Sequence, residues 1–460
     1  MQLRKDVVIC GAGIAGVSAA YFLAAHQQVR DILIVDERAP LSLTSDKSTE
    51  CYRNWWPGPG DAMVALMNRS IDLLDELADR SGNSFHMNRR GYLYLTGDPA
   101  KVAPLRTAAE NTARLGAGAL RIHTGQPGDP DYIPVQEHGY SQPPGLFPTG
   151  ADLLLDPELI QAHFPYLSPQ TVAALHVRRA GWFSAQQLGI YLLDEARATG
   201  VELVNARIDA VEVAGGRVQA VVLDNGLRVE THHFVNAAGP FFKQVSWMVE
   251  LDLPVFTELH LKAAFVDSLC AVPRNAPLLI WTDPQMLPWS LEERALLSEE
   301  EETRWLLKEL PGGAHTRPEG GADSRVALML WEYHVEQLEP SWPPELDPQY
   351  PEIVLRGLAT MLPALQAYFA RLPRPRLDGG YYTKTAENRP LIGPTPVDGF
   401  YLIGALSGYG LMAACAAGEL LAAHLVGRNL PSFAPAFRLD RYANPGYDSL
   451  LQARGESGQL

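Results

Sequence analysis

Apolar residues recur along this chain with two periods, and the switches between them outline its elements. The run Val7 to Cys10 holds no polar residue, as expected of a strand buried on both faces. A second run, Ile32-Leu-Ile-Val-Asp36, follows a stretch of small residues that reads as a helix. Met63, Met67, Ile71, Leu74 and Ala78 fall on one helical face, with Asp61 placed to cap that helix and Gly82 to end it. Alternation at 207–213, 217–223 and 227–231, broken by Gly215-Gly216 and Asp224-Asn225-Gly226, predicts a meander of hairpins. Further strands are expected at 91–95, at 400–404, in the run ending Phe234-Val-Asn-Ala-Ala-Gly239-Pro240, and over the strand-like Val326-Ala-Leu-Met-Leu-Trp-Glu-Tyr-His334. Helices are expected at 185–199, over the acidic 291–310, and from the glycine loop at 407–412 to about 426. Residues 42–60, polar and then aromatic, have no clean period and read as a loop or helix start near a ligand.

The first two strands bracket Gly11-Ala-Gly13-Ile14-Ala-Gly16. Gly11 permits the tight turn, Gly13 lets backbone approach a pyrophosphate, and Gly16 lets the next helix pack on its strand. The N-terminus of that helix offers unpaired N–H groups and partial positive charge to phosphates. Asp36 follows Gly16 by 20 residues, where a carboxylate can accept bonds from ribose hydroxyls. Strands, helix and acid in register make a dinucleotide site. They do not separate FAD from NAD.

Composition narrows the partners. The 460 residues exceed one compact core and suggest two domains, and 47% hydrophobic with 20% charged residues describe an ordinary globular protein. A net charge of −15 opposes binding to nucleic acid or an anionic membrane. Cys10, Cys51, Cys270 and Cys415 are scattered, with no spacing for a zinc or redox pair, so they read as reduced thiols of a cytoplasmic protein. No signal segment and no integral membrane segment is expected. The Glu299–Glu302 run reads as a solvated face.

A second glycine-rich strand–loop–helix lies near the C-terminus. Read in order, the first fingerprint with Asp36, Val-Asn-Ala-Ala-Gly239, and Arg389-Pro-Leu-Ile-Gly followed by Gly404-Ala-Leu-Ser-Gly408-Tyr-Gly410 resemble the D-amino-acid-oxidase-like flavoprotein family. That family groups sarcosine oxidase, glycine oxidase and proline dehydrogenase. The resemblance is firm at both ends and weak between 251 and 380. It implies an α/β fold with a Rossmann-like FAD-binding domain of glutathione-reductase type. The partner is an α+β substrate domain with a mainly antiparallel sheet. The first would comprise 1–84, 181–250 and 381–460 with its C-terminal tail, and the second 85–180 and 251–380. It also implies that Gly11, Gly13, Ile14, Gly16, Asp36 and Glu37 hold the ADP half of FAD, with Ser45, Lys47, Ser48 and Thr49 along the pyrophosphate and flavin edge. Ile208 would meet the adenine through its backbone, and Ala238 and Gly239 would lie along the cofactor. Gly408, Tyr409, Gly410, Leu411 and Met412 would bring N–H groups to the flavin's pyrimidine end.

The reaction so implied is oxidation of a C–N bond in an amino acid or amine, most naturally an N-alkyl or cyclic secondary one. Arg53 matches a carboxylate-binding arginine of sarcosine oxidase and proline dehydrogenase; a structural arginine stacked on Trp55 or Trp56 is the alternative. Tyr382 stands where glycine oxidase has its carboxylate arginine, and packing is an equal reading of it. His334 matches an active-site histidine of sarcosine oxidase, and Glu332 would share its strand face. Met412 replaces that enzyme's second carboxylate-binding lysine. Gly380 replaces the cysteine that carries FAD in covalent relatives, so FAD is expected to be noncovalent. Leu330 replaces a lysine that aids reaction with oxygen, so a dehydrogenase passing electrons to a quinone or another carrier is expected, with oxygen as the second choice. The rivals are oxidation of a hydroxy acid or glycerol phosphate on the same fold, and a noncatalytic flavoprotein assembly factor.

Overall fold

The computed structural model describes residues 3–135, 148–321 and 323–447. The expected C-terminal tail therefore lies largely outside the described residues. Two sheets dominate the structure. The six-stranded sheet runs in the order Glu202–Asn205, Ile32–Asp36, Val7–Cys10, Phe234–Asn236, Phe400–Gly404, Leu391–Pro394, parallel except at its last strand. Helices Ile14–Tyr21 and Gly410–Leu425 cover one face. They approach closely because their contact is built from small residues: the Ser18 hydroxyl donates to Ala414 O at 2.7 Å, and a Cβ on Gly418 would fall 2.4 Å from Ser18 Oγ. Val8, Leu33, Val35, Phe234 and Phe400 bury the other face against the meander Ile208–Ala214, Arg217–Leu223, Arg228–Glu230. The Gly215-Gly216 turn takes positive φ at both residues, as its hairpin requires.

The nine-stranded sheet runs Arg376–Thr385, Val255–Val266, Val326–Leu330, Ala314–Glu319, Leu278–Trp281, Tyr92–Thr96, Ala173–Val177, Ala151–Leu154, Leu120–His123. Its neighbouring pairs are antiparallel except Leu278–Trp281 with Tyr92–Thr96 and Leu120–His123 with Ala151–Leu154.

Four local expectations change. The strand from Val326 ends at Leu330 rather than His334, because the Trp331 N–H leaves the ladder to donate to the Tyr350 hydroxyl at 2.9 Å. The acidic helix stops at Glu299, with Glu300 already extended. Consecutive carboxylates at a helix C-terminus oppose its dipole, and Glu299–Glu302 are all exposed. Residues 42–60 contain a 3-10 turn, Thr44–Asp46, and a short strand, Cys51–Arg53, paired with Ala180–Trp182. The helix Ala62–Ser81 does end at a left-handed Gly82, but the Asp61 side chain makes no capping bond.

Candidate active site

The first glycine turn is built for a close visitor. Gly11 has φ +109°, and a Cβ there would meet Ala237 O at 2.4 Å; one on Gly16 would meet Gly11 O at 1.9 Å. The helix Ile14–Tyr21 therefore starts in contact with the turn, and its N-cap, Gly13, has no side chain to satisfy the first amides. Ser45 Oγ accepts from Ile14 N at 3.0 Å. Asp36 closes the second strand and accepts from the N–H groups of Ala12 (2.7 Å) and Arg38 (2.8 Å). Burial nonetheless raises its pKa above the usual carboxylate value.

These residues open onto a cavity. Gly11, Gly13, Ile14, Asp36, Ser45 and Ser48 line it together with Ala238, Gly239, Gly408, Gly410, Leu411 and Tyr382. The helix Gly410–Leu425 begins there with no side-chain cap and no acid in its first turn, leaving positive potential directed at the cavity. Ser42 Oγ also lines the space, buried and without a hydrogen-bond partner. Two helix N-termini, glycine walls and an unsatisfied hydroxyl fit an anionic dinucleotide carrying a ring that gains negative charge on reduction.

Other expected residues are not among those lining this cavity. Gly16 stands behind the turn, and Glu37 pairs with Arg38 at 3.4 Å. Lys47 Nζ is held by Asp378 (2.9 Å) and Asp46 (3.1 Å). Thr49 gives its carbonyl to Arg317 Nε at 2.6 Å. Ile208 is packed between the meander and the parallel sheet, just beyond the pairing of Asn205 with Asp36. Tyr409 is buried, donating to Asn388 O at 2.8 Å, and Met412 belongs to the apolar core.

Arg53 is buried, donates from Nε to Trp55 O at 3.1 Å, and lies over the rings of Trp56 (4.6 Å) and Tyr92 (5.4 Å). Trp56 in turn packs edge-on against Tyr409 of the glycine loop (5.1 Å). Arg53 thus spans from the nine-stranded sheet to the loop without lining the cavity. His334 does not reach the cavity: it is exposed, and pairs with Glu336 at 3.0 Å. The reason is the early end of its strand, which removes the alternation that would have turned it inward.

Strand register puts other groups on the face overlooking the nucleotide loop. Glu258 pairs with Tyr382, His260 with Gly380 and Lys262 with Asp378. Directly paired residues share a face, and a Cβ on Gly380 would fall 2.9 Å from Lys47 Cβ, so this face looks onto the loop 44–48. His260, 4% exposed, stacks on Tyr382 with centroids 4.0 Å apart. Its Nε2 lies 3.1 Å from Glu258 Oε2, which Lys384 also approaches at 2.7 Å. Its Nδ1 lies 3.0 Å from Glu332 Oε1, within ion-pair reach but off the line of a hydrogen bond. Sequence reading missed His260. The signal was there: Glu258, His260 and Lys262 are alternate ionisable residues in an otherwise mostly apolar strand, Val255–Val266.

This chain of charges sets its own protonation. Burial works to lower the His260 pKa, but Glu332 and Glu258 together raise it above the usual 6.5. Burial works to raise that of Glu332, and the charge of His260 brings it down to about 2; the side chain is 33% exposed, so solvent screens part of the effect. A depressed acid contributes stability above its unfolded value of 4.5 and loses it as pH falls; a raised histidine contributes fully below 6.5 and loses it as pH rises. The melting-temperature difference between the wild type and His260→Gln is therefore expected to be largest between pH 4.5 and 6.5, narrowing on both sides. A difference flat across pH would contradict the coupling.

A parallel nucleotide sheet with a glycine fingerprint, facing a second sheet across a long cavity, defines a two-sheet dinucleotide-cofactor protein. The chain belongs to the FAD-dependent oxidoreductase (DAO) family, which it matches over residues 6–424, and its cofactor is FAD. It is similar to human mitochondrial dimethylglycine dehydrogenase, 23% identical over 280 residues. That match takes in 60% of this chain and 28% of the human protein, so the chain spans little more than a quarter of that relative's length. In fold it resembles L-proline dehydrogenase from P. horikoshii, with TM-score 0.72 and 18% identity over 96% of this chain and 99% of that one. It likewise resembles glycine oxidase from Geobacillus kaustophilus, with TM-score 0.70 and 15% identity over 96% and 99%. Among the described residues no helix is long and apolar enough to cross a membrane, and no cluster of side chains is suited to a metal.

Proposed function

We propose that this protein oxidises the C–N bond of an amino acid or related amine, N-alkyl or cyclic secondary, as an FAD-dependent dehydrogenase. The observation that carries the reading is Tyr382, which lines the cavity together with Gly408, Gly410 and Leu411 and is backed by the stacked His260, itself beside Glu332. The family's parallel sheet is read as a nucleotide domain of glutathione-reductase type, assembled from 1–84, 181–250 and 381–460; residues 85–180 and 251–380 form the substrate domain. When bound, FAD supplies a two-electron acceptor for hydride.

The chain's own residues have simpler tasks. Arg53 is read as the clamp for the substrate carboxylate, since a guanidinium matches that group bidentately. Tyr382 and His260 form the wall against which the donor carbon is positioned, and position is most of what hydride transfer needs from a protein. Glu332, ionised beside His260, receives the substrate's amino group. The imine product hydrolyses in water.

Noncovalent attachment is supported by Gly380, which has no side chain to bond flavin and sits against Lys47. The choice of dehydrogenase over oxidase rests on the position after Met329. Ala263 pairs with Met329, so Lys262 neighbours Leu330. The Lys262 ammonium is directed instead to Asp46 O, outside the residues lining the cavity. With no lysine or arginine among the described residues lining the cavity to stabilise superoxide, turnover in air is expected to be slow and to accelerate at least tenfold with a quinone or dye acceptor. Hydrogen peroxide released stoichiometrically and rapidly in air would make the protein an oxidase.

A further inference from the structure

A second, open cavity lies at the end of strand Val326–Leu330. It meets the flavin site at one wall: His260 lines this space, Tyr382 lines the nucleotide cavity, and their rings are stacked. Its sides are aromatic. Trp305, Tyr333 and Tyr350 form a run of near-parallel rings, with centroids 5.8 Å apart at each step and interplanar angles of 22° and 24°.

Its charge is one-sided. Glu332, Glu336, Glu345 and Asp347 line it, and among the described residues no lysine or arginine does. Glu332 is paired with His260 and Glu336 with His334. Even with both histidines protonated, Glu345 and Asp347 have no cationic neighbour among the described lining residues. Aromatic faces and carboxylates attract the same ligand, a soft organic cation, and both repel a carboxylate.

We propose that this cavity binds an alkylammonium group and serves as the vestibule through which a cationic amine substrate passes to the flavin site. The inference rests on the amine-oxidation reading for the identity of the passing molecule, but not for the binding. Glu332 lines this space beside His260, whose ring is stacked on Tyr382 of the nucleotide cavity, so it would draw the ammonium through the aromatic vestibule toward that wall. Arg53, read above as the carboxylate clamp, would take up the carboxylate of an amino acid, and the two charges would fix which end leads.

The test is calorimetric titration of the full-length, FAD-loaded protein with tetramethylammonium at low ionic strength, with tert-butanol as a neutral probe of similar shape. Tetramethylammonium is expected to bind at least tenfold more tightly than tert-butanol. Binding should weaken at least tenfold in Glu345→Gln/Asp347→Asn, both at exposed positions, and again in Trp305→Leu, at a partly exposed one, so folding should survive in each. Equal binding of the two probes, or unchanged tetramethylammonium affinity in both variants, would overturn the cation site. The same protein is then mixed anaerobically with amines. Flavin bleached by amines without tetramethylammonium binding leaves the amine reading intact and removes the vestibule; tetramethylammonium bound as expected with no amine bleaching the flavin removes the reading and keeps the cation site.

Discussion

Gly16→Val is expected to purify as a folded, colourless protein. A Cβ at this position falls 1.9 Å from Gly11 O and 3.3 Å from Ala237 Cβ, and backbone atoms cannot move aside as a flexible side chain would. The helix Ile14–Tyr21 must therefore shift off the turn, taking with it the amides that face the phosphates. The whole parallel sheet need not unfold, because its strands are buried by separate clusters on each face. The ratio of visible flavin absorbance to protein absorbance checks this, with far-ultraviolet circular dichroism for the fold. Gly321→Ala is the control: a Cβ there meets nothing within 4 Å, and the yellow colour should remain. A yellow Gly16→Val protein would mean that the fingerprint does not bear on the cofactor.

Arg53→Ala should have the largest effect on catalysis. Removing one partner of a buried, hydrogen-bonded charge pair costs about 2–5 kcal/mol, so kcat/KM for a carboxylate substrate should fall roughly thirtyfold to several thousandfold. Most of the loss should appear in KM, because the clamp holds substrate and transition state alike. Arg53→Lys keeps the charge but loses the fork and should recover only part of the activity. An amine lacking a carboxylate should be much less affected. Equal losses for both substrate types would assign Arg53 to packing, which its contacts with Trp55, Trp56 and Tyr92 also support.

What could be read from the sequence was what the backbone demands locally. The glycine turn at 11–16, the Gly215-Gly216 hairpin, the left-handed Gly82 and the loop at Gly408 each declare themselves within a few residues. The acidic helix expected over 291–310 stops at Glu299, where the glutamate run opposes its dipole. The site's reacting half failed differently. Glu332 and His334 are equivalent under strand alternation, and only the bond from Trp331 N to Tyr350 stops the strand between Leu330 and both of them. Likewise His260 meets Glu332 through the register of Val255–Val266 against Val326–Leu330, a pairing no local pattern encodes.

The central claim is that bound FAD takes hydride from a C–N bond held between Arg53 and the Tyr382–His260 wall. Anaerobic titration of the yellow protein tests it most directly, following flavin absorbance with N-alkyl and cyclic secondary amino acids on one side and 2-hydroxy acids and glycerol phosphate on the other. Bleaching by at least one of the amino acids, and by none of the alcohols, is the predicted result. Bleaching by the alcohols alone, or by nothing in either set, would contradict it.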